Sequence, residues 1–184
     1  MEQGLEQLEH RASERGLLLR VQSGRPLGLL YAIRAGVAER QPDGRLALLG
    51  ELKGWAWPTP DGLHLDTLQV AGRQAGAPNQ GVGPLLAATA FAWALDVTPC
   101  RQARILAIRD DEQQHRRLVR YFRRLGFSPI RELGAGVLDL GPRLVWGGSG
   151  LLMQVDCAKG LARSLAQLEL SWIAPPPMTP EFRD

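Results

Sequence analysis

The sequence predicts a mixed α/β fold, an α+β mixed sheet of six to seven strands with helices on both faces. Three observations predict it. Four apolar runs separated by tight-turn signals fill the first 70 residues, which is the pattern of an antiparallel meander. From residue 84 the pattern changes to helix, strand, helix, strand, helix, which sets a mixed sheet beside helical layers. Hydrophobic residues make up 45% of the 184 positions and charged ones 22%, enough apolar material for a single core.

Residues 2–15 read as a helix. Leu5 and Leu8 share a face, Glu2, Glu6 and Glu9 suit its positive N-terminal end, and Gly16 stops it. Leu17–Val21 reads as a strand, and Ser23-Gly24-Arg25-Pro26 as a turn. Leu27 to about Val37 is the second strand, Leu46–Trp57 the third and Leu63–Val70 the fourth. They are separated by Gln41-Pro42-Asp43-Gly44 and by Pro58-Thr59-Pro60-Asp61-Gly62, where Pro presets one turn dihedral and Gly accepts the other. Ala71–Asn79 has no apolar period and reads as a loop. The Ala/Leu-rich run from Pro84 to Leu95 reads as a helix with Pro in its first turn, apolar around most of its circumference and therefore buried. Arg104–Ile108 is a strand. Asp110–Leu125 is an amphipathic helix with Leu118, Phe122 and Leu125 inward, closed by Gly126. Phe127–Ile130 leads away from it. Leu144–Val155 reads as one long strand whose Gly147, Gly148 and Gly150 signal a bulge or a close backbone approach. Ala158–Trp172 is the last helix. Residues 1–173 read as one domain and 174–184 as a flexible tail.

The composition excludes several classes of function. No run of about 18 apolar residues occurs, so no membrane-spanning helix is expected. The opening Met1-Glu2-Gln3-Gly4-Leu5-Glu6 is acidic where a signal peptide is basic and then apolar. Cys100 and Cys157 are too few for a disulfide framework, and with His10, His64 and His115 they show no metal-ligand spacing. The expected compartment is a reducing cytoplasm, with no metal. The net charge is +3, from 22 basic and 19 acidic residues. Much of the excess sits in Arg116, Arg117, Arg120, Arg123 and Arg124, which read as a solvated helix face. Without interleaved aromatics that face does not argue for nucleic acid.

The stretch that carries chemistry runs from Leu63 to Phe127. Gly81-Val82-Gly83 stands at the mouth of the buried helix, where unpaired first-turn amides can hold a pyrophosphate. Alone, Gly-x-Gly equally marks a tight strand-to-helix turn. Downstream, the amphipathic helix ends in Phe122-Arg123-Arg124-Leu125-Gly126-Phe127. This combination resembles the GNAT superfamily of acetyl-CoA-dependent N-acetyltransferases, as a divergent member. Leu68-Gln69-Val70 stands where that family ends its fourth strand in an apolar-x-Val pattern. Gln80-Gly81-Val82-Gly83 stands at its phosphate loop, and Phe122 to Phe127 at its aromatic-x-x-x-Gly-Phe signature.

The resemblance implies an acyl-CoA N-acyltransferase fold whose fourth and fifth strands splay apart around acetyl-CoA. Backbone groups of Leu68, Gln69 and Val70 would pair with the pantetheine arm, and the amides of Gln80, Gly81, Val82 and Gly83 would hold the pyrophosphate. His115 stands where the family often places an Asn beside the cofactor. The implied reaction is direct attack of a primary amine, on a small molecule or a protein, upon the thioester, with a base taking the amine proton and an acid protonating the thiolate. Asp66 is the first candidate base, equally a partner for an arginine on a neighbouring strand. Glu51 is the second. His64 alternates with Asp66 and reads as a surface or satisfied histidine.

The sequence also departs from the family. Phe122 holds the slot of the usual tyrosine acid; Tyr121, about 100° around the helix, is the candidate acid in its place, and by the plainer reading a packing or surface residue. Pro78 replaces the Gln or Arg that opens the phosphate loop, and the loop is longer than usual. A second registration, Arg73-Gln74-Ala75-Gly76-Ala77-Pro78, restores the Arg but loses a glycine. The family's two N-terminal helices have no counterpart. Trp55, Trp57 and Trp93 read as core. The competing reading is an inactive GNAT-fold module that binds a protein partner. A homodimer stays open, and no membrane partner is expected.

Overall fold

Alternation of apolar and polar residues builds the first half of the molecule. The computed structural model describes residues 3–60, 62–70, 81–134, 136 and 139–173. Helix α1 (Gln3–Ser13) leads into strands β1 (Leu17–Gly24), β2 (Tyr31–Arg40), β3 (Leu46–Ala56) and β4 (Leu63–Val70). Each strand pairs antiparallel with the one before it, from Leu17↔Glu39 through Ala35↔Leu52 to Ala56↔Leu63. Leu17, Leu19, Ile33, Ala35, Val37, Leu52, Leu63 and Leu65 fall on one face and are buried there. Only the one-turn helix Pro26–Gly28 stands between β1 and β2.

The second half adds helix α2 (Val82–Val97), β5 (Gln102–Ile108), α3 (Glu112–Arg124), β6 (Ser128–Leu133), α4 (Leu140–Trp146), β7 (Gly150–Asp156) and α5 (Cys157–Ile173). The seven strands form one sheet in the order β1-β2-β3-β4-β5-β7-β6. Every pair is antiparallel except β4 with β5, which α2 joins as a parallel crossover. This is the mixed sheet flanked by helices that the sequence predicts.

Helix α2 is the centre of the core. Its residues from Val82 to Ala94 are all buried, as its all-round apolarity requires. Val82 and Leu86 lie over Gly50 of β3, and Gly160 of α5 lies against the Phe91 ring. Phe91 in turn meets Phe127, and Phe127 meets Phe122 of α3, at centroid distances of 6.0 and 5.8 Å. Helix α1 packs over β1 and α2. Four helices therefore share one face of the sheet, and α4 alone among the described elements stands over the other.

Two expectations are corrected. The apolar run at Leu144 does not extend the last strand. Leu140–Trp146 forms α4, and the strand starts at Gly150. A short run such as Leu144-Val145-Trp146 fits either period, and Gly147 decides it by taking the left-handed conformation (φ 74°) that ends a helix. Gly150 does make the close approach its type suggests, against the Ala107 backbone of β5. Second, of the three tryptophans read as core, only Trp93 is fully buried. Trp57 is 50% exposed, and Trp55 lies half-buried on the open face. The expected tail at 174–184 and the expected loop Ala71–Asn79, with Arg73 and Pro78, lie outside the described residues, as does Gln80.

Candidate active site

Strands β4 and β5 pair at only three positions, Leu63↔Ala103, His64↔Arg104 and Leu65↔Ile105. Beyond them the strands part, and the cause is local. In the β3–β4 ladder Gly54 faces Leu65 and Lys53 faces Thr67, so Asp66 is an extra, bulged residue. A bulge bends and twists its strand, and this one sits at the last β4–β5 pair. From Thr67 to Val70 the strand keeps its ladder with β3 but makes no backbone bond to β5 among the described residues.

The parting leaves a cleft of about 350 Å³. Asp66, Leu68 and Gln69 line one wall, and Ile105, Leu106 and Ile108 the other. Gln114, Leu118 and Phe122, spaced four apart on α3, close the cleft on the helix-bearing side. Trp146 of α4 stands at its open-face side. Asp66 and Asp110 are its charged lining residues. Asp66 is exposed, and its Oδ2 lies 3.4 Å from the Thr67 hydroxyl.

A second cavity of about 360 Å³ adjoins the first, sharing Leu68 and Leu118. Val70, Gly83, Pro84, Tyr121 and Arg124 line it, with Gln167 and Ser171 of α5. Gly81, in the left-handed region at φ 72°, caps α2. The corner is partly filled. The Tyr121 hydroxyl rests on Gly83, and Leu168, Ser171 and Trp172 crowd Gly81. Gly81, Val82 and Gly83 are buried, so what opens beside them is the space between Gly83 and Arg124 rather than a free row of amides.

The candidate residues thus separate. Asp66, Leu68 and Gln69 line the first cleft; Val70, Gly83 and Tyr121 line the second, with Leu68 common to both. Asp66 and Tyr121 do not meet in one cavity. Burial pushes the Tyr121 hydroxyl above its ordinary range, so it stays protonated. That hydroxyl has no hydrogen-bond partner among the described residues. Tyr121→Phe is therefore expected to raise stability by about 1 kcal/mol, because an unmet buried donor is removed. It should also flatten the loss of stability above pH 10. Tyr121 releases its proton less readily folded than unfolded, so the wild type weakens as pH rises past 10.0. Denaturant melts of both proteins at pH 8 and 10.5 measure this, and a destabilised variant would refute it.

His115 lies elsewhere. It is buried at 5% exposure and lines the groove on the β7 side of α3, away from the cleft. Its Nδ1–H donates to the Ala107 carbonyl at 3.1 Å and lies 3.2 Å from that of Ile108. Its Nε2 accepts from Arg109 at 3.3 Å, and Arg109 also grips both Glu132 oxygens at 3.0 and 3.1 Å. The ring ties the start of α3 to the end of β5. His115→Ala should cost about 2 kcal/mol through the lost bonds and the cavity. A thermal midpoint equal to the wild type's would contradict that role.

A scan of protein-family models and a search of curated proteins match nothing. Among solved structures, the crystal structure of nourseothricin acetyltransferase is similar at a TM-score of 0.43 and 14% identity, covering 80% of this chain and 94% of that one. At that score the likeness carries no weight for function.

The structure adds residues that the sequence reading missed. Asp110, Gln114 and Trp146 line the cleft; Arg124, which belongs to the arginine face that could meet a coenzyme phosphate or stay solvated, lines the neighbouring cavity. A four-residue step back from Leu118 points to Gln114. Trp146 was hidden by the strand reading of its segment.

Proposed function

We propose that this chain is an acyl-CoA-dependent N-acyltransferase that binds acetyl-CoA along the parted edge of β4. The observation that carries this reading is the bulge at Asp66 with the cleft beyond it. A strand edge facing an open slot offers its amides and carbonyls to an extended ligand as another strand would. The pantetheine arm, which carries two amides, would pair with Leu68–Val70, and the phosphates would lie in the cavity between Gly83 and Arg124. The guanidinium of Arg124 would supply the charge that Pro78 does not. Asp66 at the cleft would take the amine proton, directly or through water. Phe122 cannot donate a proton, so the thiolate would leave and be protonated by solvent.

Titration calorimetry with acetyl-CoA tests the reading. Binding in the micromolar range, weakened about tenfold (about 1.4 kcal/mol) by Arg124→Glu, is expected. No heat at millimolar acetyl-CoA would overturn it. The inactive module remains the second reading, favoured by Phe122 in the acid slot. Weak or absent acetyl-CoA binding together with a stable protein partner in pull-downs would select it.

A further inference from the structure

The cleft's own chemistry narrows the acceptor. Among the described residues its charged lining is two carboxylates, Asp66 and Asp110, with no lysine or arginine. Such a lining attracts an ammonium group and repels a carboxylate. On the open face beside it stands a stack of flat rings. Trp55 lies 3.9 Å from His64 at an interplanar angle of 10°, and His64 lies 4.6 Å from Trp146 at 22°. Trp57 meets Trp55 edge-on at 6.1 Å. The stack joins three separate elements, β3, β4 and α4, and its last ring, Trp146, is the one that also lines the cleft. Trp146 therefore presents indole surface to a bound molecule while His64 fixes its plane.

We infer that the acceptor is a primary amine joined by a short chain to a flat aromatic ring and lacking a carboxylate, with Trp146 as the residue that selects the ring. This rests on the transferase reading and deepens it. The ring would lie against Trp146, as offset-stacked aromatics do, and the ammonium would face Asp66 and Asp110 before losing its proton. Trp146 is a binding residue here and takes no part in bond making.

Two measurements on the full chain keep this inference apart from the reading it rests on. The first is calorimetric binding of 2-phenylethylamine, hexylamine and phenylalanine without acetyl-CoA. The second is kcat/KM for the same three amines with acetyl-CoA, followed by thiol release. 2-Phenylethylamine should exceed each of the others at least tenfold in both. Trp146→Ala should remove that preference through the KM for the amine, and Trp146→Phe should retain most of it. Ring-amine binding that depends on Trp146, in a protein that binds no acetyl-CoA, would uphold the acceptor site and sink the transferase. Acetyl-CoA binding with equal use of hexylamine and 2-phenylethylamine, or a preference that survives Trp146→Ala, would overturn the inference. So would binding of none of the three amines.

Discussion

Gly160→Val should lower stability by roughly 3 kcal/mol, because the added side chain has no room in the helical layer. A Cβ at Gly160 would stand 2.6, 2.7 and 2.9 Å from three atoms of the Phe91 ring. That ring is fully buried and braced by Phe127, so it cannot swing away. Valine gains some helix propensity over glycine, but only a few tenths of a kcal/mol. The expected remedy is specific. Phe91→Leu introduced together with Gly160→Val should recover part of the loss, because the ring is what the new methyls strike. Ala162→Val, on the exposed face of the same helix, should stay within about 0.5 kcal/mol of wild type. Equal melts for Gly160→Val and Ala162→Val would show that α2 and α5 do not approach as closely as described.

Asp66→Asn should lower acyl-transfer turnover by about 10²- to 10⁴-fold, the range for losing a positioned general base. The side chain is exposed and its shape is kept, so the melting temperature and acetyl-CoA affinity should hold. The comparison variant is Glu51→Gln. Glu51 stands opposite Gln69 in the ladder, with Lys53 Nζ 3.5 Å from its carboxylate, and that cation keeps it occupied. Its loss should change turnover by less than threefold. If Asp66→Asn turns over as fast as wild type while Glu51→Gln is silent, the base has been assigned to the wrong residue.

The features behind these two variants are unequally visible in the sequence. Burial of α2 was legible because Pro84 to Leu95 has no polar face to turn outward. The meander was legible because its turns carry Pro-Asp-Gly and its strands keep one apolar face. The cleft was half legible. Leu68, Gln69 and Asp66 could be placed on a strand end, and the parting of β4 from β5 was expected from the resemblance, but its cause was not readable. Asp66 is one ordinary residue in an unbroken strand pattern, and it becomes a bulge only against the register of β3. His115 shows the limit of arguing by position. Its place in α3 was right, but its ring turns to the β5 carbonyls because a buried imidazole must meet its hydrogen-bonding needs there.

By itself the sequence determined the order and type of nearly every element, since local periodicity and turn chemistry are written residue by residue. It determined the buried helix and the apolar face of each strand for the same reason. Tertiary structure alone decided which residues meet across the sheet. It placed Trp146 of a late helix on His64 of an early strand, brought Asp110 and Gln114 to the cleft of Asp66, and set Arg124 beside Gly83. Those meetings depend on strand register and on where chain segments far apart in sequence come to rest, and no local pattern encodes either.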